Sequence, residues 1–307
     1  MRVFAARLAV PVVVVLWFAS GRADGAWVYW TDTDAHKIQR LNTSGGVVED
    51  VLTAANGVSD PRGISIDRAA GKMYWAENGT DRIRRANLDG TQIENIVTTG
   101  LAFPADIELE LAGGKIYWAD RDNNAIRRAN LDGTGVEDVR TGVTQPYFVD
   151  VSVVSGHIYW SDFNSPTIHR ARLSGGTAED LVTGLVRARD MVVDPQAARI
   201  YWADRDSRKV QRRDLNGGAV TDLFTSANGL LTPHGLELDG GMLYWADTDA
   251  RTVMRGSIDG GTPVTLAGTG LTNPWDVAVT DVIPEPSGLI AVAMCLPALL
   301  RARRRSS

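Results

Sequence analysis

Three carboxylates, Asp106, Asp190 and Asp276, stand at one position of a short segment that recurs six times along the chain. Brought together they would suit Ca²⁺, which takes six to eight oxygen ligands. The other copies carry Gly63, Phe148 and Gly235 at that position, so the acids fall in alternate copies and are set apart. No metal or cofactor is therefore expected, and Ca²⁺ at Asp106, Asp190 and Asp276 is the alternative. His36, His157, His169 and His234 are the only histidines, and they form neither a Ser/His/Asp arrangement nor a His-rich metal set. His157 and His169 read as structural. One residue before the acids the six copies read Arg62, Ala105, Tyr147, Arg189, His234 and Trp275. Arg, Tyr and Trp carry much of the energy of binding interfaces. Arg62, Tyr147, Arg189, His234 and Trp275 are thus the candidate ligand-binding residues, and the chemistry they offer is recognition rather than catalysis.

The elements that position them are repeats. Tyr-Trp occurs at Tyr29-Trp30, Tyr74-Trp75, Tyr117-Trp118, Tyr159-Trp160, Tyr201-Trp202 and Tyr244-Trp245, at intervals of 45, 43, 42, 42 and 43 residues. Two residues after each tryptophan comes an acid: Asp32, Glu77, Asp120, Asp162, Asp204 and Asp247. Ten residues after it comes an arginine: Arg40, Arg85, Arg128, Arg170, Arg212 and Arg255. Units of about 43 residues have the size of a four-stranded propeller blade. In the second unit PRGISID, KMYWAE, RIRRAN and IENIVTT read as its strands. The dipeptides Asp89-Gly90, Asp132-Gly133, Ser174-Gly175, Asn216-Gly217 and Asp259-Gly260 suit hairpin turns with positive φ. No segment keeps a helical period, so an all-β six-bladed propeller is expected.

The Tyr-Trp pairs, their acids and the LDG turns resemble the low-density-lipoprotein receptor class B (YWTD) repeat over residues 27–281. The resemblance implies a six-bladed β-propeller whose rim receives extracellular protein ligands. The threonine of the motif is kept only at Thr31; the other five units carry Ala or Ser. The first unit starts at its Tyr-Trp strand, and Pro274 to Thr280 has the form of the strand it lacks. The C-terminal strand is therefore expected to complete the N-terminal blade and remove open edges. The recurring acids and arginines are assigned to charge-assisted hydrogen bonds within or between blades. The Tyr-Trp pairs are assigned to packing, with their polar ends satisfied. Positions that differ between blades are the candidates for function, and the five binding residues are expected near one rim of the channel.

Residues 1–24 read as a secretory signal peptide, with Arg2 and Arg7 ahead of the apolar run from Leu8 to Ala19. Residues 25–282 form the propeller. In residues 283–307, Pro284, Glu285 and Pro286 precede an apolar run and the cluster Arg301, Arg303, Arg304 and Arg305. This tail is similar to the PEP-CTERM sorting signal of Gram-negative bacteria. The resemblance implies an exosortase-type protease as processing partner, only transient contact with the membrane, and an exported protein of the cell envelope, outer surface or matrix. Removing Arg2, Arg7, Arg22, the four tail arginines and Glu285 leaves 25 basic against 36 acidic residues, Asp24 included, a charge near −11. Such a body excludes nucleic acid, which demands a basic patch. The one cysteine, Cys295, lies in the tail, so the body cannot hold a disulfide. The expected function is non-catalytic recognition of an envelope or extracellular protein, peptide or glycan. A calcium-dependent lactonase or lyase-like propeller and a purely structural envelope or biofilm protein are the alternatives.

Overall fold

The computed structural model describes residues 25–281. The stretches read as a signal peptide and as a sorting tail, the latter with Pro284, Glu285 and Pro286, lie outside the described residues. Strands are numbered in chain order. In the second unit alternating apolar residues build β4 (Pro61–Asp67), β5 (Lys72–Glu77), β6 (Arg82–Asn87) and β7 (Glu94–Val97), paired antiparallel in sequence order. The turn between β6 and β7 needs Gly90 at φ 83°, and the equivalent Gly133, at φ 84°, sits against the Ile96 carbonyl, where a Cβ has no room. Six such four-stranded sheets form the ring, and the only helices among the described residues are two single 3₁₀ turns.

The first blade is built from both ends of the chain. β1 (Trp27–Asp32), β2 (Lys37–Asn42) and β3 (Glu49–Leu52) pair in order, and β24 (Pro274–Thr280) pairs with β1 as its innermost strand. The innermost strands of the other blades are β4, β8 (Pro104–Glu110), β12 (Pro146–Ser152), β16 (Ala188–Asp194) and β20 (Pro233–Asp239). These six strands surround the central channel. All six tryptophans of the Tyr-Trp pairs are buried in the clusters between sheets.

The recurring charges divide their work. Arg40 donates to Tyr29 Oη and to the Leu88 carbonyl of the next blade, and it pairs with Glu49 at 2.7 Å. Arg85, Arg170 and Arg212 likewise reach the carbonyls of Leu131, Leu215 and Ile258 in the next blade. Four of the acids instead hold the loop that leads into the innermost strand of their own blade, while Glu77 accepts from Trp75, Thr80 and Arg84, and Asp162 faces His169. Asp32 accepts from the backbone N–H groups of Thr272 and Asn273, Asp120 from Ala102, Asp204 from Val186 and Arg187, and Asp247 from Leu231 and Thr232. Thr31 bridges β24 and β4 by donating to the Arg62 carbonyl and accepting from Asp276 N–H, a link that Ala closes off in most other blades. The polar ends of the pairs are satisfied unevenly, which corrects the sequence expectation. Trp30 and Trp202 donate to Gln39 and Gln211, whereas Trp245 faces Met254 across the strand pair and its Nε1 has no partner.

Blade four carries His169 where Gln39 and Gln211 stand in other blades. Its ring stacks on Trp160, with Nδ1 2.9 Å from Asp180 and Nε2 3.3 Å from Asp162. Burial alone pushes the imidazole pKa down, but the two carboxylates outweigh it and the net shift is upward. This stabilisation is full below the unfolded value near 6.5 and disappears as pH rises through the folded value. His169→Gln is expected to cost on the order of 1 kcal/mol at about pH 5.5 and little at about pH 8.5, measured by denaturant titration at both.

Candidate binding face at the channel mouth

Each innermost strand begins irregularly, with a register shift just after its first residue, as between Pro61 and Ile64, Pro104 and Asp106, or Pro233 and Leu236. A bulge frees the residues it spans from strict in-and-out alternation and re-aims them. Here the bulged positions are those of the predicted binding residues.

The structure brings all five together, but not as an exposed rim. Tyr147, Arg189, His234 and Trp275 are buried, and Arg62 is mostly so. They fold inward over the channel mouth and pack on one another as a plug. The rings of His234 and Trp275 lie 3.9 Å apart between centroids, and Tyr147 meets Trp275 edge-on at 5.8 Å. The Arg62 guanidinium sits 3.9 Å over Trp275, and that of Arg189 4.8 Å over Tyr147. Apolar and cationic side chains that can stack gain more from each other than from water, which is why they turn inward.

Sequence comparison of the innermost strands alone missed three members of the plug. Phe103, Phe163 and Arg121 come from loops, and Arg121 lies between the two rings at 4.5 and 4.2 Å. Their place next to the Tyr-Trp acid or the strand-leading proline was the available signal. Burial drives the His234 pKa well below its ordinary value, and Arg189, Arg205 and Arg62 push the same way. His234 is therefore a neutral ring whose Nδ1 meets the Trp275 carbonyl at 3.1 Å.

Beneath the plug lie the acids proposed as metal ligands. Asp106, Asp190 and Asp276 each accept from the backbone N–H of the next innermost strand, at Val149 (2.9 Å), Leu236 (2.6 Å) and Ile64 (2.8 Å). They staple the blades in pairs around the ring. Gly63 and Gly235 are required beside them, because a Cβ at either would strike Asp106 or Asp276. Among the described residues no three His, Cys, Asp or Glu side chains are grouped to hold one metal ion.

Two residues further along the strands comes a second acidic layer that sequence reading passed over. Glu108, Asp150 and Glu237, with the three stapling acids, line a cavity of about 210 Å³. Period two along a strand was the signal that would have found them. Burial raises every one of these carboxyls: Asp150 to about 6, Asp276 to about 7 and Glu237 to about 8, with Asp106, Glu108 and Asp190 held well above the usual carboxylate range. Mutual repulsion adds to burial at Asp106, Glu108 and Asp190.

This geometry has relatives among solved structures. The propeller in the crystal structure of a nidogen/laminin complex superposes with a TM-score of 0.75 at 22% identity, covering 83% of this chain and 98% of that one. TolB from Acinetobacter baumannii superposes with a TM-score of 0.65 at 18% identity, over 83% of this chain and 66% of that one. The likeness is one of fold. No family model and no curated protein matches the sequence. No helix among the described residues is long and apolar enough to cross a membrane.

Around the plug, the mouth face is completed by the loops that the Tyr-Trp acids hold. Val186 and Leu231 stand on two of these loops with 61% and 41% of their surface exposed. Val154, also exposed, lies in the hairpin that follows β12, at the opposite face.

Proposed function

We propose that this protein is an exported, non-catalytic recognition propeller of the bacterial cell envelope or extracellular matrix, and that it binds a protein, peptide or glycan on its mouth face. The observation that carries the reading is the convergence of Arg62, Tyr147, Arg189, His234 and Trp275, from five blades, at one end of the channel. Packed and already desolvated, these side chains make a rigid floor for the mouth face, which lowers the ordering cost of binding on the loops around it. The exposed Val186 and Leu231 supply apolar contact beside them.

The nidogen propeller was crystallised in a complex with laminin. That precedent supports the use of such a fold in holding another protein. The tail motif at Pro284, Glu285 and Pro286 supports processing by an exosortase-type protease and delivery beyond the inner membrane. A calcium-dependent hydrolase would need Asp106, Asp190 and Asp276 turned to a metal, and each is engaged by a backbone N–H of its neighbour.

The test is affinity capture from envelope material with the mature protein. Because Tyr147 and Trp275 are buried, their substitution would mix folding with binding, so surface variants are used. Leu231→Asp together with Val186→Asp is expected to abolish capture at unchanged melting temperature, while Val154→Asp retains it. Capture unaffected by the first pair would overturn the assignment of this face, and no specific partner at all would favour a structural envelope protein.

A further inference from the structure

At the seam where blade six meets blade one, the recurring arginine has lost its acid. Four of the others hold one by the Nε edge: Arg40 bonds Glu49 at 2.8 Å, Arg85 Glu94 at 2.9 Å, Arg128 Glu137 at 2.7 Å and Arg170 Glu179 at 2.6 Å. Each of these acids stands opposite its arginine on the outermost strand of the same blade. Blade five has Thr221 there, and Arg212 takes Asp259 from the turn of the next blade instead, at 3.5 Å. Arg255, on β22 (Thr252–Ser257), has neither source. Val264 of β23 (Val264–Ala267) stands opposite it, and Ser44 occupies the turn position in blade one that Asp259 holds in blade six. Among the described residues Arg255 makes no hydrogen bond or ion pair, and its Nε is buried without a partner.

The space around Arg255 is open as well. At the position following β2 and its counterparts the other blades pack Leu88, Leu131, Leu173, Leu215 or Ile258 into a core cluster, whereas blade one has Thr43. Gly25 and Ala26 lie beside Thr43, and a cleft of about 370 Å³ reaches from them to Met242, Tyr244 and Arg255, with no acid among its lining residues. It sits by the hairpin that follows β20, toward the face opposite the channel mouth. A guanidinium stays charged at any ordinary pH, and its edge matches a carboxylate with two parallel bonds. A concave space of this size suits a small molecule. We propose that the seam cleft binds a small organic carboxylate, whose carboxyl takes on Arg255 the place that Glu49 takes on Arg40. Binding turns the Nε edge to the carboxylate and relieves the cost of leaving that donor unmet. Thr43 meets the ligand's polar groups, and Met242 packs on its carbon skeleton. The site is separate from the mouth face and stands or falls without it.

The probes are glutarate and glucuronate, with glucuronamide and inorganic phosphate as controls. They are titrated into the mature protein and followed by the arginine Nε–H signals in nitrogen-15 spectra and by calorimetry, with Arg255→Lys identifying the Arg255 signal by its loss. At least one of the two acids is expected to shift that signal saturably, with a Kd on the order of 1 mM or tighter, and glucuronamide to leave it in place. Val264→Glu rebuilds the acid of the other blades. It is expected to weaken binding at least about tenfold and to raise the melting temperature, while Val264→Gln, alike in size but uncharged, keeps the affinity within about twofold. Val264 is 50% exposed at a sheet edge, so neither variant disturbs the core. No saturable shift with either acid, phosphate bound more tightly than both, or undiminished affinity in Val264→Glu each overturns the inference. An Arg255 signal that already matches those of Arg40 and Arg85 in the ligand-free protein also overturns it, since an acid of the chain itself would then fill the site.

Discussion

Asp32→Ala is expected to cost about 3–5 kcal/mol of folding stability, at the upper end of single substitutions. Its buried carboxylate accepts from the N–H groups of Thr272, Asn273 and Ala35 and from the Thr272 hydroxyl. Alanine would leave several part-buried donors without their shared acceptor, each costing up to about 1–3 kcal/mol where water does not replace it. The position also matters more than its counterparts, because these bonds join the first strand of the fold to the loop leading into the last. Asp120→Ala makes a useful comparison, since its carboxylate holds Ala102 within a blade whose strands are contiguous in sequence. The expected order is a larger loss at Asp32 than at Asp120, with both reducing the denaturant midpoint. Equal losses would mean that ring closure through the terminal strands adds nothing of its own.

Stability is also expected to fall as pH rises from about 4 to about 8, the reverse of a protein held by surface ion pairs. Asp150, Asp276 and Glu237 have folded values of about 6, 7 and 8, above the 3.8 to 4.5 ordinary for these groups. Between those limits the folded state binds more protons than the unfolded one, so each step up in pH favours unfolding. Below about pH 4 the trend reverses, because surface acids such as Asp50 and Asp222, whose pKa values are lowered by lysine and glutamine neighbours despite some burial, lose those bonds. Glu237→Gln removes the most displaced of the three groups with no neighbouring strand bonded to its carboxylate. It is expected to raise stability by on the order of 2 kcal/mol at about pH 8 and to leave it nearly unchanged at about pH 4. Thermal melts across the range check this, and a wild-type melting temperature that climbs from pH 5 to pH 8 would contradict it.

Much of the fold is legible in the residues themselves. Six Tyr-Trp pairs at near-constant spacing can satisfy their packing only by repeating one blade, and Pro274 to Thr280 can be recognised as the missing innermost strand because it copies Pro61 to Asp67. The candidate site is legible in position but not in direction. Alternation along a strand puts neighbouring residues on opposite faces. The bulge at the start of each innermost strand breaks that rule, and Tyr147 and Phe148, adjacent in sequence, both come to meet His234. The pairing of charges was hidden for a related reason. Glu77 and Asp120 look as though they belong with Arg85 and Arg128, yet they meet Arg84 and Arg127, while Arg85 and Arg128 turn to Glu94 and Glu137. Which of two adjacent arginines faces inward depends on strand register, and register appears only once the sheet is assembled. Phe103, Phe163 and Arg121 reach the mouth from loops, whose paths no periodicity records.

The division between residues that hold the blades and residues that recognise a partner is tested most directly by crosslinking in the native setting. A photoreactive phenylalanine derivative placed at Val186, on the mouth face, and separately at Val154, on the opposite face, leaves the core untouched. Illumination of whole envelope followed by mass spectrometry should yield one recurrent partner at Val186 and none at Val154. The same partner captured equally from both positions, or only from Val154, would contradict recognition at the channel mouth.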